Sequence, residues 1–329
     1  TPAAIRSRCD RLFSLACADQ LHHFRCDLSQ LDRVADYVIA VMHKAYPDLN
    51  IPFHSRWRHF EAGRIDRIAL LDQALSHFTP LEKARTQFDL VITSVLLDAG
   101  AGADWQYQEA QTGQVFTRSE GLGVASFHLF MQGGFSSDRT NPYQADAIGL
   151  QNLTESSFAA GFQISNSNPL VGVSGRLALM HQLGNVLQAY PELFGQENPR
   201  PGHLVDYLLN QANQGQLTAH QVFEAVLAGL SEIWSGRTTI AGVNLGDVWL
   251  HPALPDRGLG SQLVPFHKLS QWLTYSLLEP LQSLGLQIVN LDALTGLSEY
   301  RNGGLCIDLG LLQPKHEAVL TQAHSPDSE

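Results

Sequence analysis

The segment that constrains the fold most is the apolar run VPFHKLSQWLTYSLLEPL at residues 264–281. Leu269, Leu273 and Leu277 recur at i, i+4 and i+8, which is the spacing of one apolar face of an α-helix. Other apolar side chains cover most of the remaining surface, so we expect this helix to be buried on most sides. Pro265 suits its first turn, and Pro280 is expected to end it.

The same helix carries a polar stripe, because Lys268, Gln271 and Tyr275 follow one another at i, i+3 and i+7. Burying an ammonium group is costly unless an anion lies beside it. The stripe therefore predicts that Lys268 faces an acidic side chain or an anionic ligand, with Gln271 beside it.

Helical spacing of apolar residues recurs along most of the 329 residues, of which 44% are hydrophobic. The exception is WQYQEAQTGQVF, where Trp105, Tyr107 and Glu109 alternate before a Thr-Gly turn. This predicts a short hairpin at 105–117. Because strands and helices do not alternate as in a doubly wound α/β fold, we predict a mainly α, multi-helical fold with a minor β-hairpin. Residues 1–329 are expected to form a single domain or two lobes, with a frayed tail at 315–329.

Composition and missing motifs narrow the function classes. The net charge is −11, and no basic stripe of the kind found in nucleic-acid binders is present. No apolar run reaches the length of a membrane span, and no signal peptide is visible, so a cytoplasmic location is expected. The four cysteines contain no CxxC pair, and no histidine pair has metal-ligand spacing. We therefore expect no metal, no cofactor, no nucleic acid and no membrane partner, while the oligomeric state is left open.

Two polar constellations precede the hairpin. The first is HSRWRHFEAG, which brings His54, Arg56 and Arg58 close together in sequence. It fits either a solvated loop around a buried tryptophan or an anion clamp, since the forked guanidinium suits phosphate. The second is LLDAGAGADW, where Asp98 ends an apolar helix at a turn of small residues. It fits either a polar helix end or a place where a ligand approaches the backbone.

A third constellation is NLGDVWLHP, in which Asp247, Trp249 and His251 alternate. In an extended chain these three side chains point the same way. An acid beside an aromatic platform is typical of a nucleoside pocket. The alternative is an exposed loop with one buried tryptophan.

The fourth constellation is LTGLSEYRNGG, where Glu299 and Arg301 flank Tyr300. Thr295 or Ser298 is expected to cap a helix that has Glu299 in its first turn. The two charged residues form either a local ion pair or part of a site.

Together these segments resemble the uracil-catabolism protein family of fungi and bacteria, over nearly the whole chain. The segments that carry the resemblance are HSRWRHFEAG, LLDAGAGADWQY, RSEGL, NPLVGVSGRLALM, RPG, LGDVWLHP, VPFHKLSQWLTYSLLEPL and LTGLSEYRNGG. No single one of these segments is generic, so their combination makes the match specific.

The chain is also distantly similar to the queuosine salvage family, which consists of nucleotide N-glycosidases. Lys268, Gln271, Tyr300 and Arg301 match motif residues of that family, and Glu299 replaces an aspartate. The Pro-Gln pair that follows the arginine in that family is absent here, which implies a remodelled base pocket. This resemblance implies a DNA-glycosylase-like helical fold and N-glycosidase chemistry.

Both resemblances imply an N-glycosidase that cleaves the N-ribosyl bond of a ring-opened pyrimidine nucleoside or nucleotide. The expected substrate is ribosylurea or its 5′-phosphate, and the released product is urea. Such a reaction needs a carboxylate beside an oxocarbenium-like centre, and we expect Asp247 in that role with Glu299 second. Lys268, with Arg56 or Arg301, is expected to pair with a carboxylate or phosphate.

The predicted site has two catalytic residues, Asp247 and Glu299, and no metal ligand. Its predicted substrate-binding residues are Lys268, Gln271, Tyr300, Arg301, Trp249, His251, Trp105, Asp98, Arg56, Arg58 and His54. We further expect Asp247, Lys268, Glu299 and Tyr300 to line one cavity, with Trp249 or Trp105 as a wall. The alternatives are a non-catalytic nucleotide-binding or scaffold protein, and an amidohydrolase that acts on the ureido group.

Overall fold

A computed structural model describes residues 1–234 and 236–324 of the chain. In this described part the helices are α1 (Pro2–Cys17), α2 (Leu31–Ala45), α3 (Trp57–Phe60), α4 (Arg67–Ala74), α5 (Pro80–Leu96), α6 (Arg118–Met131), α7 (Ala147–Gln151), α8 (Glu155–Gly161), α9 (Val173–Ala189), α10 (Pro191–Phe194), α11 (Leu204–Gln211), α12 (Ala219–Leu230), α13 (Lys268–Ser283), α14 (Tyr300–Asp308) and α15 (Ala318–Thr321). Short 3-10 turns connect several of them. The mainly α class is thereby confirmed, whereas a DNA-glycosylase-like arrangement of these helices stays a prediction.

The strands are all two or three residues long and pair only two at a time. They are β1 (Phe24–Cys26), β2 (Gln106–Gln108), β3 (Val115–Thr117), β4 (Gln216–Thr218), β5 (Thr239–Ile240), β6 (Val243–Asn244), β7 (Val248–Leu250), β8 (Leu263–Pro265), β9 (Gln287–Val289) and β10 (Leu312–Pro314). Strands β2 and β3 form the antiparallel hairpin predicted at 105–117. The other four pairs are additions to the prediction, because strands this short leave too few alternating positions to recognise.

The chain forms two compact units. The first unit comprises Thr1–Phe53, Gly236–Lys268 and Leu294–Glu329, and the second comprises His54–Ser235 and Leu269–Ala293. In the described part of the predicted frayed tail, Lys315 donates its backbone N–H to the His23 carbonyl at 2.8 Å, and helix α15 follows. Residues 325–329 of that tail lie outside the described residues. Within the described part, no helix has the length and apolar character needed to cross a bilayer.

The first unit is held together by pairings between distant segments. Strand β1 pairs antiparallel with β10, and the hairpin of β7 and β8 packs beside helix α1. The side chain of Arg6 in α1 donates to the Leu294 carbonyl at 2.6 Å, which fixes the segment that leads into α14. These contacts place the loop before β7 and the start of α14 in one unit.

The second unit is built around α5, most of which is buried. Thr79 caps this helix, as its side chain and the Pro80 that follows it favour, since its hydroxyl accepts the Glu82 amide at 3.2 Å. Helix α5 packs against α6 and α9. Inside the unit, Arg200 of the RPG segment donates from Nε and Nη2 to Asp89 of α5 at 2.9 and 2.7 Å. This buried ion pair gives the RPG segment a structural role.

The helix predicted from residues 264–281 differs from the structure at both ends. Its first residues belong to β8, which ends at Pro265, so the helix begins only at Lys268. Pro280 lies inside α13 and does not end it. A proline has no N–H to donate to the carbonyl four residues earlier, here that of Ser276. The Trp57 indole supplies the missing donor, because its Nε1 lies 2.8 Å from that carbonyl oxygen.

Candidate functional site

In the first unit, the Asp247 side chain is held at both carboxylate oxygens. Oδ1 accepts the Trp249 indole N–H at 2.7 Å, and Oδ2 accepts the Lys268 amide at 3.0 Å. The Asp247 carbonyl also accepts the backbone N–H groups of Phe266 and His267, at 3.0 and 3.3 Å. Asp247 therefore joins the start of β7 to the turn that opens α13, and its carboxylate has a fixed orientation.

The backbone on either side of this carboxylate adopts left-handed conformations. Gly246 has a φ of 67°, which glycine adopts without steric cost. His267 has a φ of 46°, which is uncommon for a residue with a β-carbon. Strained backbone of this kind clusters at functional sites, where the surrounding structure holds it in place.

The charges around Asp247 leave it without a cationic partner. Burial lowers the pKa of His267, and the opposing charge of Asp247 does not reverse that shift. Among the residues that the structure describes, no side chain forms an ion pair with Asp247. The carboxylate is thus oriented by two neutral N–H groups, one from an indole and one from a peptide.

Lys268 lies next to this carboxylate and pairs with a second one. Its Nζ is 2.6 Å from Oε2 of Glu299 and 5.3 Å from the centre of the Tyr300 ring. The anionic partner predicted for Lys268 is therefore Glu299, 31 positions along the chain. Within the described part of the chain, the side chains of Glu299 and Arg301 do not form the alternative local ion pair, and Glu299 Oε1 accepts the Arg301 backbone amide at 3.3 Å.

Glu299 also has a different helical position from the one predicted. It precedes α14 and caps it directly, in place of Thr295 or Ser298. Burial raises the pKa of Glu299, but hydrogen bonds from Lys268 and from the Arg301 amide outweigh this, so the pKa lies below its ordinary value. Glu299 is therefore an ionised carboxylate that fixes the position of the Lys268 ammonium group.

The sequence pattern does not predict Arg237, which lies beside Trp249. The guanidinium carbon of Arg237 lies 5.1 Å from the centre of the Trp249 ring, at cation–π distance. Arg237 stands in a loop twelve positions before Trp249, and no periodic pattern links the two. His251, by contrast, lies at the start of the connection between β7 and β8, where its Nδ1 accepts the Ala253 amide at 3.3 Å.

We call the group Asp247, Trp249, Arg237, Lys268, Glu299 and Tyr300 the Asp247 cluster.

Replacing Lys268 tests the electrostatics of this cluster. In Lys268→Met we expect the pKa of Glu299 to rise toward its ordinary value, because the hydrogen bond and charge that lower it are removed. Titration of the Glu299 carboxyl carbon by NMR measures this. The matched control is Lys315→Met, since Lys315 pairs with Asp19 at 2.7 Å in the same unit and should leave Glu299 unchanged. An unaltered Glu299 pKa in Lys268→Met would contradict the assigned pair.

The remaining predicted residues lie in the second unit, where Arg56 and Asp98 form a buried ion pair. Nη1 of Arg56 is 3.0 Å from Oδ2 of Asp98, and Nε donates to the Ser94 hydroxyl at 2.7 Å. Oδ1 of Asp98 accepts the Ser119 hydroxyl at 2.9 Å. Asp98 follows the end of α5, as the sequence predicts.

The loop that carries Asp98 is shaped by Arg176. Its Nε donates to the Leu97 carbonyl, and its Nη2 donates to the carbonyls of Ala99 and Gly100, each at 3.1 Å. Arg176 therefore satisfies carbonyl groups that the end of α5 leaves open. The arginine of the NPLVGVSGRLALM segment, Arg176, therefore has a structural role in holding this loop.

The other predicted residues of the second unit have varied surroundings. Trp105 is fully buried, and its indole N–H donates to the Phe162 carbonyl at 3.0 Å, so it packs in the core. Arg58 pairs with Glu279 at 2.8 Å. His54 is exposed, with its ring 6.0 Å from that of Trp272, and Gln271 is buried.

The fold and the Asp247 cluster define a mainly helical protein whose Asp247 carboxylate is anchored by two neutral N–H groups. Residues 1–329 match the family described as protein of unknown function (DUF1688), and the chain belongs to that family. It is 41% identical over 309 residues to Uracil catabolism protein 4 of Lachancea kluyveri, covering 89% of this chain and 70% of the relative. It is 37% identical over 330 residues to Protein urg3 of Schizosaccharomyces pombe, covering 98% of this chain and 78% of the relative. The resemblance to the uracil-catabolism family is thereby confirmed, whereas the similarity to the queuosine salvage family stays a prediction.

Proposed function

We propose that the chain is a metal-independent N-ribosyl hydrolase of uracil catabolism, which cleaves ribosylurea or its 5′-phosphate and releases urea. The observation that carries the proposal is the Asp247 carboxylate, oriented by the Trp249 indole and the Lys268 amide. The name of the Lachancea relative, Uracil catabolism protein 4, supports the pathway. Opening the ring of a uridine derivative leaves urea attached to ribose, so the pathway then requires cleavage of that bond.

The chemistry fits an oriented carboxylate. Breaking a bond between nitrogen and the anomeric carbon develops positive charge on the sugar, and a nearby carboxylate stabilises that charge. A carboxylate already paired with a cation would stabilise it less, whereas Asp247 accepts only neutral N–H groups among the described residues. Asp247 would also orient the attacking water and take its proton. The water oxygen bonds to the anomeric carbon, and the leaving nitrogen gains a proton, so the products are ribose or its phosphate and urea.

The neighbouring groups supply binding. Glu299 is an ionised acceptor suited to ribose hydroxyls, and the Lys268 ammonium group that it fixes suits an anionic group such as phosphate. The Trp249 indole offers a flat face of the kind on which a planar ureido group stacks. In this role the pair of Lys268 and Glu299 binds substrate, while Asp247 acts on the reacting centre.

Incubating the purified protein with ribosylurea and with its 5′-phosphate, followed by assays for urea and ribose, tests the proposal. We expect urea and the free sugar in equal amounts. Release of ammonia from a product that keeps its ribose would instead identify an amidohydrolase. Tight binding with no turnover of either compound would identify a binding protein, and either result would overturn the proposed hydrolase.

A further inference from the structure

The buried N–H donors of the second unit that have no acceptor among the residues that the structure describes include Nη2 of Arg56, Nε of Arg58 and Nε1 of Trp272. The side chains of Arg56 and Trp272 are neighbours, since the guanidinium carbon of Arg56 lies 5.7 Å from the centre of the indole ring. Arg56 is 0% exposed and Trp272 is 8% exposed.

Buried donors without partners are rare in folded proteins, so each one calls for an explanation. Two other indole donors of the same unit are satisfied: Nε1 of Trp57 donates to the Ser276 carbonyl and Nε1 of Trp105 to the Phe162 carbonyl. The Nε and Nη1 atoms of Arg56 also have acceptors. Two unsatisfied donors on adjacent side chains therefore point to an acceptor that comes from outside the chain.

The local charge indicates what kind of acceptor this is. The positive charges of Arg56 and Arg176 are balanced by Asp98, which lies 3.0 Å from Arg56, and by Glu120 in electrostatic range. The group as a whole is neutral, so it offers no excess positive charge to a phosphate or carboxylate ligand. An uncharged carbonyl oxygen accepts both N–H groups without adding negative charge.

Asp98 supplies the complementary half of the recognition. Each of its carboxylate oxygens accepts one hydrogen bond from the protein, from Ser119 and from Arg56, and each has a further lone pair. A carbonyl flanked by N–H groups therefore matches donors and acceptor together. The Trp272 ring, against which the His59 ring packs edge-on at 5.6 Å, offers an aromatic side to a flat ligand.

We propose that Arg56, Trp272 and Asp98 form a subsite within the second unit for an uncharged planar amide or ureido group, in addition to the flat face that Trp249 offers in the first unit. The choice of a ureido ligand rests on the proposed function, whereas the two unsatisfied donors stand without it. This assignment replaces the phosphate clamp that the arginines of HSRWRHFEAG allowed on sequence grounds.

The test compares Trp272→Phe with Trp57→Phe in the full chain. The probes are N-methylurea and acetamide as neutral ligands, and phosphate and acetate as charged ones, with binding followed by calorimetry. We expect the neutral probes to bind the parent protein and to bind Trp272→Phe about tenfold more weakly, because one hydrogen bond to the ligand is lost. The thermal midpoint of Trp272→Phe should fall less than that of Trp57→Phe, since no hydrogen bond within the protein is lost.

Trp57→Phe should behave in the opposite way, with unchanged binding and a lower thermal midpoint, because its indole bonds to the Ser276 carbonyl. The subsite is overturned if the neutral probes do not bind, if phosphate binds better than they do, or if Trp272→Phe binds like the parent. Failure of this subsite is distinguishable from failure of the proposed function. If the parent protein releases urea from ribosylurea but Trp272→Phe binds the neutral probes as the parent does, only the subsite is wrong. If Trp272→Phe binds the probes more weakly but the parent releases no urea, only the proposed hydrolase is wrong.

Discussion

Asp247→Asn should lower the rate of urea release from ribosylurea by about a thousandfold, while the dissociation constant of the substrate changes far less. An asparagine has nearly the same shape as an aspartate, so the loop before β7 keeps its packing. The amide carries no negative charge, however, and one of its two polar atoms is a donor. It therefore neither stabilises a sugar cation nor takes a proton from water.

The measurement separates kcat from binding, with single-turnover kinetics for the first and calorimetry for the second. The matched control is Asp27→Asn in the same unit, because Asp27 also accepts a backbone N–H and a side-chain donor, both from Ser29 at 3.1 and 2.7 Å. The control should retain the parent turnover. Turnover of Asp247→Asn within a factor of a few of the parent would remove Asp247 from the mechanism and leave Glu299 or Asp98 as the acid to test.

Arg67→Met should lower the free energy of unfolding by about 3–5 kcal/mol, which is the usual cost of removing one partner from a buried ion pair. Arg67 and Glu109 are both buried, and Nε and Nη2 of the guanidinium lie 2.7 and 2.8 Å from the two carboxylate oxygens. Nη1 also donates to the carbonyls of Phe60 and Ala62, at 3.0 and 2.9 Å. Methionine fills a similar volume but removes the donors that Arg67 supplies to these acceptors.

Urea denaturation followed by circular dichroism measures this effect. The matched control is Arg85→Met in the same unit, whose guanidinium makes a similar two-point contact with Asp206, at 2.9 and 2.6 Å. Both of those side chains are partly exposed, so we expect a loss of about 1 kcal/mol or less. A change in Arg67→Met no larger than that of the control would show that the buried pair does not stabilise the fold.

The same pair predicts how stability depends on pH. Burial raises the pKa of Glu109, but hydrogen bonds from Arg67, His128 and Thr112 outweigh it and lower the pKa to about 2. Because the folded-state pKa lies below the unfolded value near 4.5, ionised Glu109 contributes stability above that pH, and the contribution is lost as the pH falls toward 2. The lost contribution is about 3 kcal/mol in the parent protein, and it should be smaller in Arg67→Met.

The local part of the fold and of the candidate site follows from the sequence. The cap at Thr79, the hairpin at 105–117 and the shared side of Asp247 and Trp249 all involve residues within a few positions of each other. Such features depend on helix periodicity, turn residues and strand alternation, which are local properties of the chain. The motifs were also sufficient to identify the family.

The partners of the polar side chains were decided only by tertiary structure. The sequence predicts that Lys268 has an anionic partner. That this partner is Glu299 depends on how the fold brings a loop 31 positions further along the chain next to Lys268. Pro280 stays inside α13 because the Trp57 indole, over 200 positions earlier, satisfies the carbonyl that a proline leaves open. Hydrogen bonds and ion pairs act over a few ångströms in space and carry no sequence period, so one-dimensional patterns show that a buried polar group needs a partner, while packing determines which residue it is.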